Sequence, residues 1–263
     1  MKLYPTFTIA TVTWNAGHTI GRTIASVEAQ TYAAVEHLII DGCSTDGTMQ
    51  EVQRYVERCT DTNSAHTIRL IREPDNGLYD AMNKAITQAK GDYIVFLNAG
   101  DKLHDDTTLE QVAAIIRKTP QPRRPAVVYG ETDLVDDEGR FIRHRRLRAP
   151  EHLTARSFLA GMLVCHQSFY VRTDMAQQEP YNLHYRFSAD YDWCIRLMRC
   201  AERRGLGLVN THLILTDYLS EGMTTRNHRA SLKERLRLMA HHYGWPAAIG
   251  AHLWFVIRAV IKR

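Results

Sequence analysis

The chain has no glycine-rich phosphate loop. No G-x-x-x-x-G-K-[ST] motif occurs, and the segment after the first apolar run, Thr13-Trp14-Asn15-Ala16-Gly17-His18-Thr19, carries one glycine and no lysine or arginine. A P-loop nucleotide hydrolase and a dehydrogenase with a glycine fingerprint are thereby excluded. The five cysteines, Cys43, Cys59, Cys165, Cys194 and Cys200, are odd in number and lack paired metal spacing. Neither a disulfide framework nor a thiolate zinc site follows, and a reducing, cytosolic setting is expected. No apolar run approaches the ~20 residues needed to cross a bilayer. At the N-terminus, Met1 to Thr6 leads straight into a strand pattern, without the apolar stretch and cleavage site of a signal peptide. Charge of one sign is also scarce: 33 Lys and Arg against 29 Asp and Glu give +4, too little to indicate nucleic acid as a partner. Proline is sparse except at Thr119 to Pro125, which reads as a surface connection.

What is present fits one α/β domain with a peripheral extension. From Phe7 to about residue 130, β-rich apolar runs alternate with helical spacing, the signature of βαβ units feeding a mostly parallel sheet flanked by helices. Strands are expected at Phe7 to Thr13, Val35 to Ile40, Thr67 to Arg72, Tyr93 to Leu97 and Val127 to Tyr129. Ile20, Ile24 and Val27 mark one helix face; a second helix starts near Thr48, where Glu51 stands at capping-box spacing; a third runs from Leu78 to Ala89. Beyond residue 130 the alternation becomes mixed. Asp136 to Gly139 reads as a hairpin turn, Ser168 to Arg172 as a short strand, Tyr191 to Arg204 as a helix stopped by Gly205, and Leu213 to Tyr218 as a strand. The last forty or so residues form two helical pieces separated at Gly244-Trp245-Pro246. The expected layout is a domain over 1–220, with a nucleotide-binding half to about 130 and an acceptor half from 131, followed by a C-terminal helical extension over 221–263.

In an open parallel sheet, ligands bind beyond the carboxyl ends of the strands, where loops and helix N-termini gather. Four consecutive strand ends carry polar groups: Thr13 and Asn15, then Asp41, then Asp75 and Asn76, then Asn98 and Asp101. Turn preference alone explains any single one of these, but four together on one rim point to a ligand. A nucleotide bound without a glycine cradle needs its diphosphate neutralised by a divalent cation on a carboxylate, and Asp101 is placed for that.

Five ordered elements carry a resemblance: Ile9-Ala10-Thr11-Val12-Thr13-Trp14-Asn15; Asp41-Gly42-Cys43-Ser44-Thr45-Asp46-Gly47-Thr48; Glu73-Pro74-Asp75-Asn76-Gly77-Leu78-Tyr79-Asp80-Ala81-Met82-Asn83-Lys84; Phe96-Leu97-Asn98-Ala99-Gly100-Asp101; and Ser188-Ala189-Asp190-Tyr191-Asp192-Trp193. Over residues 7 to 220 the chain resembles the family 2 glycosyltransferases of the GT-A fold, and the second and third elements are similar to its colanic-acid and exopolysaccharide subgroup. The resemblance implies an inverting transfer of sugar from a nucleotide-diphosphate donor to a saccharide or lipid-linked acceptor. Thr11, Thr13 and Asn15 would line the nucleoside, Asp41 would accept from the base, and Asp75, Asn76, Asn83 and Asn98 would border the nucleotide. Asp101 would bind Mn²⁺ or Mg²⁺. The commoner family pattern has acids where this chain has Asn98 and Gly100, so one carboxylate stands in place of two or three. Asp190 matches the catalytic base, while helix capping is the other reading of Asp190, Asp192 and Asp46. Ala189 stands where the family often has Glu.

Other segments admit two readings each. His212 and His228 are either further ligands or ordinary surface histidines, and Glu221 to Arg226 is either a closing loop or plain surface. The basic run Arg143 to Arg148 either faces anionic lipid or a lipid diphosphate, or is a solvated hairpin arm. Leu253 to Ile257, too short to span, is either an interfacial helix or a packing surface, on the domain or at a dimer contact. Two other functions share these features: a sugar nucleotidyltransferase, which would want a basic loop after the first strand, and a non-catalytic sugar- or lipid-binding module.

Overall fold

Helices cover both faces of the first four strands, which explains why these strands are apolar on both sides. The computed structural model describes residues 4–62, 64–119, 122–220 and 228–261. Strands β1 (Phe7–Thr13), β2 (Val35–Asp41), β3 (Thr67–Arg72) and β4 (Tyr93–Phe96) lie parallel in the order β3-β2-β1-β4. Helices α1 (Ile20–Glu28), α2 (Thr48–Asp61) and α3 (Leu78–Gln88) make the crossovers. In β1 the side chains alternate as a pleat requires. Phe7 and Ile9 pack toward α1 and α4 (Thr108–Arg117), whereas Ala10 and Val12 join the core under α3 and α6 (Ala189–Arg203).

The second half of the sheet is mixed, as the change of pattern after residue 130 leads one to expect. Strand β8 (Phe169–Arg172) pairs antiparallel to β4 and to β6 (Val127–Val135); β9 (Leu208–Leu219) runs parallel to β6, and β5 (Lys102–Leu103) pairs antiparallel to β9. The turn at Asp136 to Gly139 joins β6 to β7 (Phe141–His144). One continuous sheet, β3-β2-β1-β4-β8-β6-β9-β5, therefore crosses both halves of the chain.

Several elements extend the sequence reading. Strands β6 and β9 are longer than their apolar runs because each continues through residues such as Thr132, Asp133, Thr216 and Asp217, which are polar yet buried. Helix α4 is legible in hindsight from Leu109, Val112, Ala113 and Ile116, all buried on one face. Short α5 (Thr173–Gln178) follows β8. The C-terminal pieces are α7 (His228–Tyr243) and α8 (Trp245–Ile261), broken at Gly244, whose φ of 85° suits glycine. Thr48 is not a capping-box residue: its backbone N–H donates to Asp46 Oδ1 at 2.9 Å, and Gly17 N–H donates to Asp46 Oδ2 at 3.0 Å. Asp46 thus serves the helix start and holds the β1 loop to it. The stretch 221–226 lies outside the described residues.

Candidate active site

A cleft of about 490 Å³ opens between the loop after β4, the start of α3, the start of α6, and the β6–β7 arm. Asn98, Asp101, Tyr79, His166, Gln167 and Asp190 line it together with Arg143, Arg145, Arg146 and Arg235. Two carboxylates from distant parts of the sequence therefore meet in one cavity.

Asp101 is 2% exposed. Its Oδ1 accepts from the Leu219 backbone N–H at 3.0 Å and its Oδ2 from Gln167 Nε2 at 3.1 Å. Burial outweighs these bonds and pushes its pKa up to about 6. The glycine at position 100 has a physical cause: its φ is 103°, and a Cβ there would lie 2.7 Å from Leu219 Cδ2. An acid at that position would be strained in this backbone conformation and would have to displace the Leu219 side chain. Arg22 fastens the loop, donating from Nε to the Gly100 carbonyl at 2.9 Å and from Nη1 to the carbonyls of Asp136 and Asp137. Asn98 Oδ1 and His166 Nε2 are buried without a hydrogen-bond partner and belong to the same cleft. A buried carboxylate with a raised pKa, an orphaned amide oxygen and an orphaned imidazole nitrogen suit a divalent cation that takes few protein ligands.

Asp190 stands in the first turn of α6, where the helix dipole favours its anion. Tyr79 donates its hydroxyl to Oδ1 at 3.2 Å, the Tyr191 N–H also reaches Oδ1, and His166 Nδ1 lies 3.4 Å from Oδ2. Burial works to raise its pKa, but the hydrogen bond and charge of His166, with Arg235 beyond, outweigh it and hold the carboxyl below its ordinary range. The support is aromatic. Tyr181 stacks between Tyr79 at 5.4 Å and Trp193 at 4.6 Å, and Phe96 meets both Tyr181 and Trp193 edge-on. Such pairs contribute about 0.5–1.5 kcal/mol each beyond burial, so Tyr79, whose hydroxyl holds Asp190, belongs to a stiff platform. His166, Gln167 and Arg235 are site residues outside every motif, His166 and Gln167 from one short turn and Arg235 from α7, and Tyr79, though inside the third motif element, has no role that the motif reveals.

At the rim, register places Thr13 beside Asp41 and Asp41 beside Arg72. Asn15 is exposed, with φ 49°, and its Oδ1 accepts from Thr45 N–H at 2.9 Å. Thr13 Oγ1 is buried and unpartnered. Asp41 reaches the strand end, but its carboxylate has no exposure: Ser44 N–H and Oγ donate to it, and Arg72 Nε lies 3.4 Å away. Asp75 accepts from Gly77 N–H at 2.8 Å and crowds Gly42, while Asn76 is exposed and bonded to Asp80. Trp14, 68% exposed, stands close to Gly42 and adds an open aromatic face that the motif reading omits.

Three expectations need correction. Thr11 points into the core between β1 and α2: it has no exposure and its hydroxyl is bonded to His37 Nε2 at 3.0 Å, so it cannot line a nucleoside. Asn83 spends its amide on the Tyr181 backbone, in paired bonds of 2.9 and 2.7 Å, and so positions the aromatic stack instead of bordering the nucleotide. Asp192 is no helix cap either. It is buried between His242 Nε2 at 2.7 Å and Arg196 Nε at 2.6 Å, tying α7 to α6. His212 is exposed beside Glu151 and away from the cleft, and the side chain of His228 lies outside the described residues.

A second polar cluster, His104, Asp133 and Asp217, brings donor atoms within 4.8 Å of one another. Leu134, Arg143 and Tyr218, the sequence neighbours of Asp133, His144 and Asp217, line the cleft. The alternation of side chains places the cluster on the opposite face of the sheet. Its carboxylates are already engaged: His104 and Lys102 hold Asp217 at 2.7 and 3.0 Å, and His144 holds Asp133 at 2.7 Å.

A mixed sheet with its acids gathered beyond the strand ends is the architecture of the GT-A fold. Residues 8–186 match the family described as Glycosyl transferase family 2, and the chain belongs to it. It is 30% identical over 216 residues to a PGL/p-HBAD biosynthesis glycosyltransferase of Mycobacterium bovis, covering 81% of this chain and 77% of that one. It is 26% identical to the amylovoran biosynthesis glycosyltransferase AmsB of Erwinia amylovora, covering 81% and 69%. Among solved structures, Staphylococcus aureus TarS with UDP-GlcNAc aligns at TM-score 0.66 and 15% identity, over 89% of this chain and just under two thirds, 66%, of that one. The mannosyltransferase PcManGT of Pyrobaculum calidifontis, with GDP-Man and Mn²⁺, aligns at TM-score 0.59 and 16% identity, over 94% and 74%. The chain is a glycosyltransferase, which sets aside the non-catalytic module and the nucleotidyltransferase.

Proposed function

We propose that this enzyme transfers a sugar, with inversion, from a nucleotide-diphosphate donor to a hydroxyl of a saccharide or lipid-linked saccharide, in the assembly of a cell-surface glycan on the cytoplasmic side of the membrane. The observation that carries this reading is Asp190, an ionised carboxylate in the same cleft as Asp101. Asp190 takes the proton from the acceptor hydroxyl as it attacks the anomeric carbon; one base suffices and no covalent intermediate forms. Tyr79 and His166 hold that carboxylate in place and charged. Asp101 and Asn98 would hold Mn²⁺ or Mg²⁺, which would supply the charge that neutralises the diphosphate; Nε2 of a neutral His166 would be a further ligand while its Nδ1–H stays on Asp190. Thr13, Asn15, Asp75, Asn76 and the face of Trp14 border the nucleoside, while Asp41 shapes that rim through Ser44 and Arg72. Residues 1–130 form the donor half and 131–220 the acceptor half. The relatives named for PGL/p-HBAD and amylovoran biosynthesis support a glycan product and keep the exopolysaccharide subgroup in view.

The test is a thermal-shift panel of UDP, GDP, CDP and dTDP with and without Mn²⁺, followed by turnover of the matching sugar donors. One nucleotide stabilising only with metal, and its sugar donor turned over, supports the reading. Stabilisation by none would sink it.

A further inference from the structure

Helix α8 presents an outer face with no polar side chain. Every exposed residue described on it, Trp245, Pro246, Ile249, Gly250, Leu253, Trp254, Val256 and Ile257, is non-polar. At helical spacing the six large ones cover about half the circumference, while Ala248, Ala251 and Phe255 turn inward to the core. Soluble surfaces carry single apolar residues, not a continuous stripe of this kind. Leu253 is 61% exposed and Val256 62%.

The surroundings of the stripe are positive. From residue 228 to 263 the sequence has seven Lys and Arg against one acid, Glu234, and that acid is engaged with the backbone N–H groups of Arg186 and Phe187. The basic run adjoins the helix directly: Leu147 and Phe255 both border Gly161, and exposed Arg146 lies next to Leu147 while lining the cleft. Exposed Arg156 shares a groove with Ala247 at the start of α8.

We infer that α8 lies flat in the interface of an anionic bilayer, apolar face down, with Arg146, Arg156 and Arg258 at headgroup level and the mouth of the cleft beside the membrane. Seventeen residues at 1.5 Å each reach only ~26 Å, short of the ~30 Å hydrocarbon core, and no described helix is long and apolar enough to cross a membrane. Trp245 and Trp254 are the aromatic type that settles at the polar–apolar boundary. A second copy of the chain fits less well, because pairing two such faces would also bring two copies of the same positive flank together. An acceptor carried by a lipid would then reach Asp190 without leaving the membrane surface.

The experiment uses the full chain with vesicles of phosphatidylcholine alone or with phosphatidylglycerol added. Cosedimentation is expected only with the anionic lipid, weakened by salt, together with a blue shift of tryptophan emission. Leu253→Glu combined with Val256→Glu should lower vesicle binding on the order of tenfold or more, with the melting temperature unchanged because both side chains are exposed; Trp254→Ser should remove part of the shift. Equal sedimentation of parent and double variant overturns the inference. So does absence of vesicle binding alongside a dimer, seen by light scattering, that the same substitutions dissolve. Vesicle binding is read without donor or acceptor, so it can fail while sugar transfer stands, and the reverse.

Discussion

His166 places its Nδ1 3.4 Å from the carboxylate of Asp190, and its other ring nitrogen is buried in the cleft without a partner. One imidazole thus touches Asp190 with one nitrogen and leaves the other free inside the cleft that Asp101 also lines. Replacing it with alanine takes away the main influence that lowers the pKa of Asp190 and leaves burial, which raises it. A base must be ionised, so its activity falls as pH drops through its pKa. The acidic limb of the rate–pH profile of His166→Ala is expected at higher pH than in the parent. An unmoved limb would mean that His166 does not act on Asp190.

Asp190→Asn keeps the shape of the site and removes the base. Sugar transfer should fall by about 10²–10⁴-fold, the usual worth of general base catalysis, while nucleotide binding measured by calorimetry stays within error. Unchanged transfer would reassign the base.

Asp101 supplies a prediction of opposite sign for stability and for function. Its pKa is about 6 in the folded protein against 3.8 for the free side chain, so the native state binds more protons than the unfolded one between those values. Stability from this group therefore declines as pH rises through that window. The displacement corresponds to about 3 kcal/mol at pH 7, against about 1 kcal/mol for a lost hydrogen bond. Without metal, Asp101→Asn should melt at or above the parent at pH 8, yet it should lose the stabilisation that Mn²⁺ and nucleotide give together. A variant that melts lower and keeps that gain would contradict both halves.

On the opposite face of the sheet, the hydrogen bond that His104 donates to Asp217 raises the pKa of His104, while His104 and Lys102 overcome burial to lower that of Asp217. The histidine contribution is complete below its unfolded value near 6.5 and is lost as pH rises through the higher folded value. The aspartate contribution is complete above 3.8 and is lost as pH falls through the lower folded value. His104→Gln should therefore flatten the decline of melting temperature on the alkaline side of neutrality and leave the acid side to Asp217. Melting curves across pH 4 to 9 check both limbs.

Gly100→Ala tests why the acid count is reduced. The positive φ and the 2.7 Å approach to Leu219 together should cost about 1–3 kcal/mol, a loss of several degrees in melting temperature. Because the loop carries Asp101, metal-supported nucleotide binding should weaken with it.

The parallel half of this fold is legible in the sequence because periodicity reports it: β1, β2, β3 and α3 fall within a residue or two of the apolar runs that announce them. The strand-end rule reads the positions of Asp41, Asp75 and Asp101 at or beyond the ends of β2, β3 and β4, but it does not report that the Asp41 carboxylate is buried under Ser44 and Arg72. It fails for Thr11, because odd positions of β1 face the helices α1 and α2, and motif membership says nothing about the face. It fails for Asn83, whose partner Tyr181 is 98 residues away. His166 and Arg235 escape for the same reason, as does the role of Tyr79 inside its motif: three unrelated elements meet at Asp190, and no spacing in one chain segment encodes that meeting.

The bond from the Leu219 backbone to Asp101 joins the first half of the chain to the end of the last strand of the sheet. It works as a latch. If the chain were cut after residue 130, the front fragment would keep a carboxylate placed for an amide that had left with the other piece, and Arg22 would lose the carbonyls of Asp136 and Asp137 at the same stroke. The two halves of the chain are thus not modules that could be exchanged between relatives at a convenient loop; a chimera would have to carry residues 22, 98–101, 136–137, 167 and 219 across together.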